Sequence, residues 1–122
     1  MLLQKETLVN KVSIKAYSPG TIKLNIGVFD QAVLLIDGEK IDFEGADRFD
    51  ELSIESIQKY LKSKPEILII GSGKEHKILA PEITAKINQW GIAVESMASR
   101  QACHTYQVLS HDKRAVSALI FP

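Results

Sequence analysis

The chain has 122 residues, 45% of them hydrophobic and 25% charged, which fits one ordinary globular domain, residues 1–122, with a real core. Fifteen basic residues balance fifteen acidic ones, which argues against non-specific nucleic-acid binding and its need for surplus cations and leaves a homo-oligomer electrostatically permitted. A single cysteine excludes an internal disulfide and an all-cysteine metal site.

The amino-terminal stretch MLLQKETLVNKV has no basic start followed by a long apolar run, so no secretory signal is expected. VSIKAYS (12–18) alternates and reads as a strand with Val12, Ile14 and Ala16 on one face. After the turn signal Pro19-Gly20, TIKLNIG (21–27) alternates again, with Ile22, Leu24 and Ile26 together. QAVLLID (31–37) is the continuous apolar run of a strand covered on both faces, far too short to cross a bilayer. Asp37-Gly38 is a hairpin signal leading into EKIDFEG. The polar stretch 44–51 reads as a loop, and its carboxylates as a solvated surface.

A helix starts at Ser53, whose hydroxyl can cap the first turn, with Leu52 and Ile57 placed as a hydrophobic staple. Ile54, Ile57 and Leu61 form its apolar stripe, and Pro65 ends it. From residue 66 the rhythm becomes β-α-β-α-β. A buried strand, EILIIGSG (66–73), is followed by a helix over 80–91, opened by Pro81 and stopped by Gly91. A strand at 92–96, a helix at 98–109 and a last strand at 114–121 of unassigned direction complete the chain. The order predicts an α/β fold with a mixed central sheet flanked by helices and extra β structure from the amino-terminal half.

Cys103 stands beside His104, which raises the question of a thiol–imidazole pair. On a helical wheel Ala98, Ala102, Thr105, Tyr106 and Leu109 share a face with Cys103 at its edge. Arg100, His104, Gln107 and His111 point away and form a candidate partner-binding strip. Adjacent helical residues do not face each other, whereas a Cys–His nucleophilic pair needs hydrogen-bond contact. No catalytic residue is therefore assigned. Cys103 reads first as a small buried hydrophobe, and second as a thiolate one turn into a helix.

His104 and His111 lie seven residues apart, about 10 Å along the axis, and His76 lies on a loop, so neither a metal site nor a cofactor is expected. Gly71, Ser72, Gly73 and Lys74 follow a strand and invite a phosphate-cradle reading. The spacing of neither the phosphate loop nor the dinucleotide fingerprint is present, and a tight turn is the ordinary alternative. Strand ends of open α/β sheets nonetheless bind ligands. Gly71, Ser72, Gly73 and Lys74, with Ser96 and Met97 on the next strand and Cys103, are thus a candidate ligand-binding edge. Trp90 and Tyr106 read as core.

PEILIIGSG, APEITAKINQWGIAVESM, QACHTYQVL and KRAVSALIFP together resemble the Mth938-like family, also known as DUF498. The match is looser through YSPGTIKLN and AVLLI. The resemblance sets Gly71, Gly73, Gly91, Glu95, Met97, Ala102, Cys103, Thr105, Tyr106, Leu109, Arg114 and Leu119 on family positions. It departs at Ala98, His104 and Gln107, where the family often has Asp, Arg and Asn. It implies a compact three-layer α/β fold with no generally assigned activity. It also implies kinship with a mitochondrial assembly factor for respiratory complex I that works with partner proteins at the inner membrane. The expectation is a cytoplasmic, non-enzymatic interaction or assembly module with unidentified protein partners and no membrane span of its own. The alternative is a small-molecule binder or enzyme using the edge from Gly71 to Cys103.

Overall fold

A computed structural model describes residues 11–112 and 114–122, so the reading of the amino-terminal stretch lies largely outside the described residues. Five strands form the central sheet: β4 (Val33–Ile36), β5 (Glu39–Ile41), β6 (Ile67–Ser72), β7 (Ala93–Met97) and β8 (Val116–Phe121), in the order β5-β4-β8-β6-β7. β6 is parallel to both β7 and β8, while β4 runs antiparallel to β8 and β5. The last strand, whose direction its own residues left open, is thus the seam between the parallel and antiparallel halves.

The β6–β7 crossover carries helix α2 (Pro81–Gln89), and the β7–β8 crossover carries helix α3 (Ser99–His111). The two connections step across the sheet in opposite directions, so two right-handed crossovers must place their helices on opposite faces. They do. Ala102, Cys103 and Tyr106 of α3 pack with Val33, Leu35, Ile69, Ala118 and Ile120. Ile83 and Ile87 of α2 pack with Leu34, Leu68, Ile70 and Leu119 on the other face. The alternation along β4, β6 and β8 is the period-2 geometry of strands buried on both sides.

Helix α1 (Ile54–Gln58) shares the α2 face through Ile57. It starts as its sequence requires: the Ser53 hydroxyl accepts Ser56 N–H at 3.2 Å, and the Ser56 hydroxyl accepts Ser53 N–H at 2.8 Å. The chain then tightens into a 3-10 turn at Lys59–Leu61. A three-stranded antiparallel sheet, β1 (Ile14–Ser18), β2 (Thr21–Leu24) and β3 (Gly27–Phe29), joins α3 on the opposite face and completes the third layer.

Three local expectations are corrected. The register of β1 slips between Ile14 and Ala16, a bulge that shifts the inward phase, so Tyr17 is buried and Ala16 is exposed. The strand expected over 21–27 instead folds back at Asn25–Ile26, pairing Leu24 with Gly27. Asn25 holds the reversal by accepting Ser13 N–H and donating to the Lys11 carbonyl, both at 3.0 Å, and Ile26 is left exposed. The polar stretch 44–51 is not wholly loop: Phe49 opens a 3-10 turn and is buried. Its ring stands edge-on to Phe121, with centroids 6.2 Å apart. By contrast the Asp37-Gly38 hairpin forms as expected, with φ of 53° and 79°, the pair of positive values a type I′ turn requires.

Candidate functional site

The carboxyl ends of β6, β7 and β8 meet the start of α3, and the serines there build the local structure. Ser99 is fully buried. Its hydroxyl accepts Gly73 N–H at 2.8 Å and donates to the Phe121 carbonyl. Its own N–H donates to the Gly73 carbonyl at 2.8 Å. The Ser72 hydroxyl accepts Lys77 N–H at 3.0 Å and lies within donating distance of the carbonyls of Glu75 and Met97, at 2.7 and 3.1 Å. The Ser96 hydroxyl accepts Leu79 N–H at 3.3 Å and donates to the Lys77 carbonyl at 3.0 Å. These three hydroxyls tie the 73–80 loop to the ends of three strands and the start of one helix.

This accounts for the glycines. A Cβ on Gly71 would lie 2.7 Å from the Ser99 hydroxyl oxygen, 3.0 Å from its Cα and 3.1 Å from the Ala102 Cβ. Gly71 is the point where α3 touches β6 directly. Gly73 has φ of 105°, a conformation that L side chains rarely adopt, and its N–H is already taken by Ser99. The ordinary alternative, a tight turn, describes this segment better than a phosphate cradle does. Met97 is buried in the core on the α3 face.

Beside the loop lies an open cleft of about 470 Å³, reached by Lys74, Lys77, Asp47, Arg48 and Asp50. Its charges are mixed, and Lys77 is paired with Asp50 at 3.1 Å. Cys103 lies elsewhere, in a recess of about 230 Å³ with Tyr17, Arg100 and His104. The two hollows share no lining residue, so the structure does not gather Gly71–Lys74 and Cys103 into one site.

Cys103 is buried against the sheet. Burial pushes its thiol up to about 11, against a smaller opposing pull from Arg100. It is therefore protonated at neutral pH, the opposite of an activated nucleophile. Arg100 reaches over β1: its guanidinium stands 5.4 Å from the Tyr17 ring centroid and donates to the Tyr17 carbonyl at 3.2 Å. The Tyr17 hydroxyl is buried with no hydrogen-bond partner among the described residues. Burial raises its pKa, offset in part by Arg100.

Of the four residues expected to form a partner strip, Arg100, His104 and His111 are exposed. Gln107 is not free: it is half-buried, and its side-chain oxygen accepts Ile14 N–H at 2.9 Å, fastening β1 to α3. Trp90 is half-buried rather than core, whereas Tyr106 is buried as expected, with its pKa raised by burial and then by Asp37. Sequence reasoning missed Ser99 and Tyr17. Ser99 lay within reach, because positions 99, 102, 103 and 106 recur at helical spacing. Among the described residues no helix is long and apolar enough to cross a membrane.

The chain is 34% identical over 125 residues to the 13 kDa major membrane protein of Francisella tularensis subsp. holarctica (strain LVS), covering 98% of each chain. It is 28% identical over 123 residues to NADH dehydrogenase (ubiquinone) 1 alpha subcomplex assembly factor 3 of Danio rerio, covering 99% of this chain and 70% of that one. The solution structure of a Mth938-like domain from Bordetella pertussis matches the fold with a TM-score of 0.76 at 21% identity, over 90% of this chain and 85% of that one. The model of the family described as protein of unknown function (DUF498/DUF598) matches residues 14–121, from the first residue of β1 to the last of β8. On that match the chain belongs to the DUF498/DUF598 family.

Proposed function

We propose that the protein is a non-enzymatic interaction module that supports the assembly of a membrane complex. The observation that carries this reading is the alignment of 99% of this chain with 70% of a relative named an assembly factor. The chemistry of the fold is in keeping with it. The hydroxyls at the strand ends bond to backbone within the fold, and the cysteine is held as a neutral thiol. The exposed side chains of α3, His104, His111 and Arg100 where it reaches over Tyr17, supply a contact surface. A cytoplasmic location is part of the proposal, since an unpaired cysteine suits a reducing compartment.

The test is affinity capture from native lysate using wild type and an Arg100→Glu/His104→Glu double variant, each checked for folding by circular dichroism. The expected result is a reproducible stoichiometric partner that the double variant loses. Recovery of no partner, or equal recovery with the variant, contradicts the proposal.

A further inference from the structure

We infer that the groove between the end of α1 and the end of α2 is the docking site for an acidic segment of a partner protein, one that presents an apolar side chain flanked by carboxylates. This rests on the interaction-module reading and names the chemistry of the partner. The groove is open to solvent and has a volume of about 480 Å³. Buried Leu61 and the half-buried indole of Trp90 give it an apolar lining. Lys59, Lys62 and Lys64 line it as well, all exposed, against one carboxylate, Glu55. None of the three lysines is ion-paired among the described residues. Lys86, also exposed, stands one helical turn before Trp90.

The excess of positive charge is local, because the chain as a whole is neutral. The cleft beside the glycine loop, by contrast, mixes signs and already contains a paired lysine. A hollow with an aromatic wall suits an inserted side chain, which supplies affinity by burial. The lysines supply orientation, on-rate and sensitivity to salt. The interaction-module reading makes a protein segment, rather than a bilayer, the source of the acidic groups.

Trp90 is the only tryptophan in the chain, so its fluorescence reports on this groove alone. The experiment titrates the purified full chain with a synthetic peptide carrying a Leu-Leu pair flanked by glutamates. The controls are the same peptide with lysines in place of glutamates, and phosphatidylglycerol vesicles. The expected result is a saturable blue shift with the acidic peptide alone. Binding should weaken about 10-fold or more in a Lys59→Gln/Lys62→Gln/Lys64→Gln variant, and likewise when salt rises from about 50 to 300 mM. If the triple variant does not fold, the single reversal Lys62→Glu is read instead and should also weaken binding. No saturable response to the acidic peptide, an equal response to the lysine peptide, or a response to vesicles alone overturns the inference. Lysate capture through α3 reads a different surface, so it can succeed while the groove fails, and the two failures are distinguishable.

Discussion

Replacing Ser99 by alanine tests how α3 is seated on the sheet. The substitution removes one oxygen that accepts Gly73 N–H and donates to the Phe121 carbonyl, at a residue with no solvent exposure. Leaving a buried polar group unsatisfied costs about 1–3 kcal/mol. The Gly73 N–H bears most of this, because a carbonyl has a second lone pair and is the more tolerant group. A total loss of about 2–4 kcal/mol follows. For a chain of this length the unfolding entropy is roughly 0.26 kcal/mol per degree, so Tm should fall by about 8–16 °C. Thermal melts and urea titrations of the variant and wild type measure it. Ser110→Ala is the control, since that hydroxyl donates only to the Gln107 carbonyl one turn earlier, and it should stay within about 0.5 kcal/mol of wild type. A Ser99→Ala protein as stable as the control would refute the reasoning, because the buried network would then carry no stability.

Gly71→Ala should cost about 1–3 kcal/mol by overpacking, because the new methyl meets Ser99 and Ala102 at 2.7–3.1 Å; a neutral result in urea titration would show that α3 can retreat from the strand. Gln107→Ala removes the acceptor of Ile14 N–H and should cost about 1 kcal/mol, with faster hydrogen exchange at Ile14 as its local signature. Cys103 should react with maleimide about 100-fold more slowly than free cysteine at pH 8, given a thiol near 11. The same shift sets a direction for stability. Between the unfolded value near 9 and the folded value near 11, the folded state holds a proton that the unfolded state has lost. Stability should therefore fall as pH rises through that window, and Cys103→Ala should flatten the fall when unfolding is measured from pH 8 to 11.

The parallel half of the fold was legible in the chain because each element there has strong punctuation. Pro81 opens α2, Gly91 follows it, and the apolar runs of β6 and β8 match strands covered on both faces. The amino-terminal half was legible in type but not in phase. A one-residue bulge near Lys15 exchanges Ala16 for Tyr17 at the core, and alternation alone does not mark where a bulge falls. The reversal at Asn25 rests on side-chain bonds to Lys11 and Ser13, partners more than ten residues away. Phe49 was hidden by its acidic neighbours, although a lone aromatic in a polar loop is a signal of burial against something; here that something is Phe121.

The candidate residues divide in the same way. The helical wheel placed Cys103 inward and Arg100, His104 and His111 outward, because those directions follow from helix geometry. It misjudged Gln107, whose fate depends on β1 crossing α3, a tertiary fact with no local trace. The glycine edge was found as a place but not as a purpose. Only the approach of Ser99 shows that Gly71 and Gly73 serve packing and a turn.

Site-specific photo-crosslinking in the native cell decides whether the exposed face of α3 is a partner contact surface. A photoreactive amino acid is placed at His104, and at Lys23 on the exposed side of β2 for comparison. One discrete adduct is expected from position 104, identifiable by mass spectrometry and absent from position 23. The same adducts from both positions, or none from position 104, would contradict it.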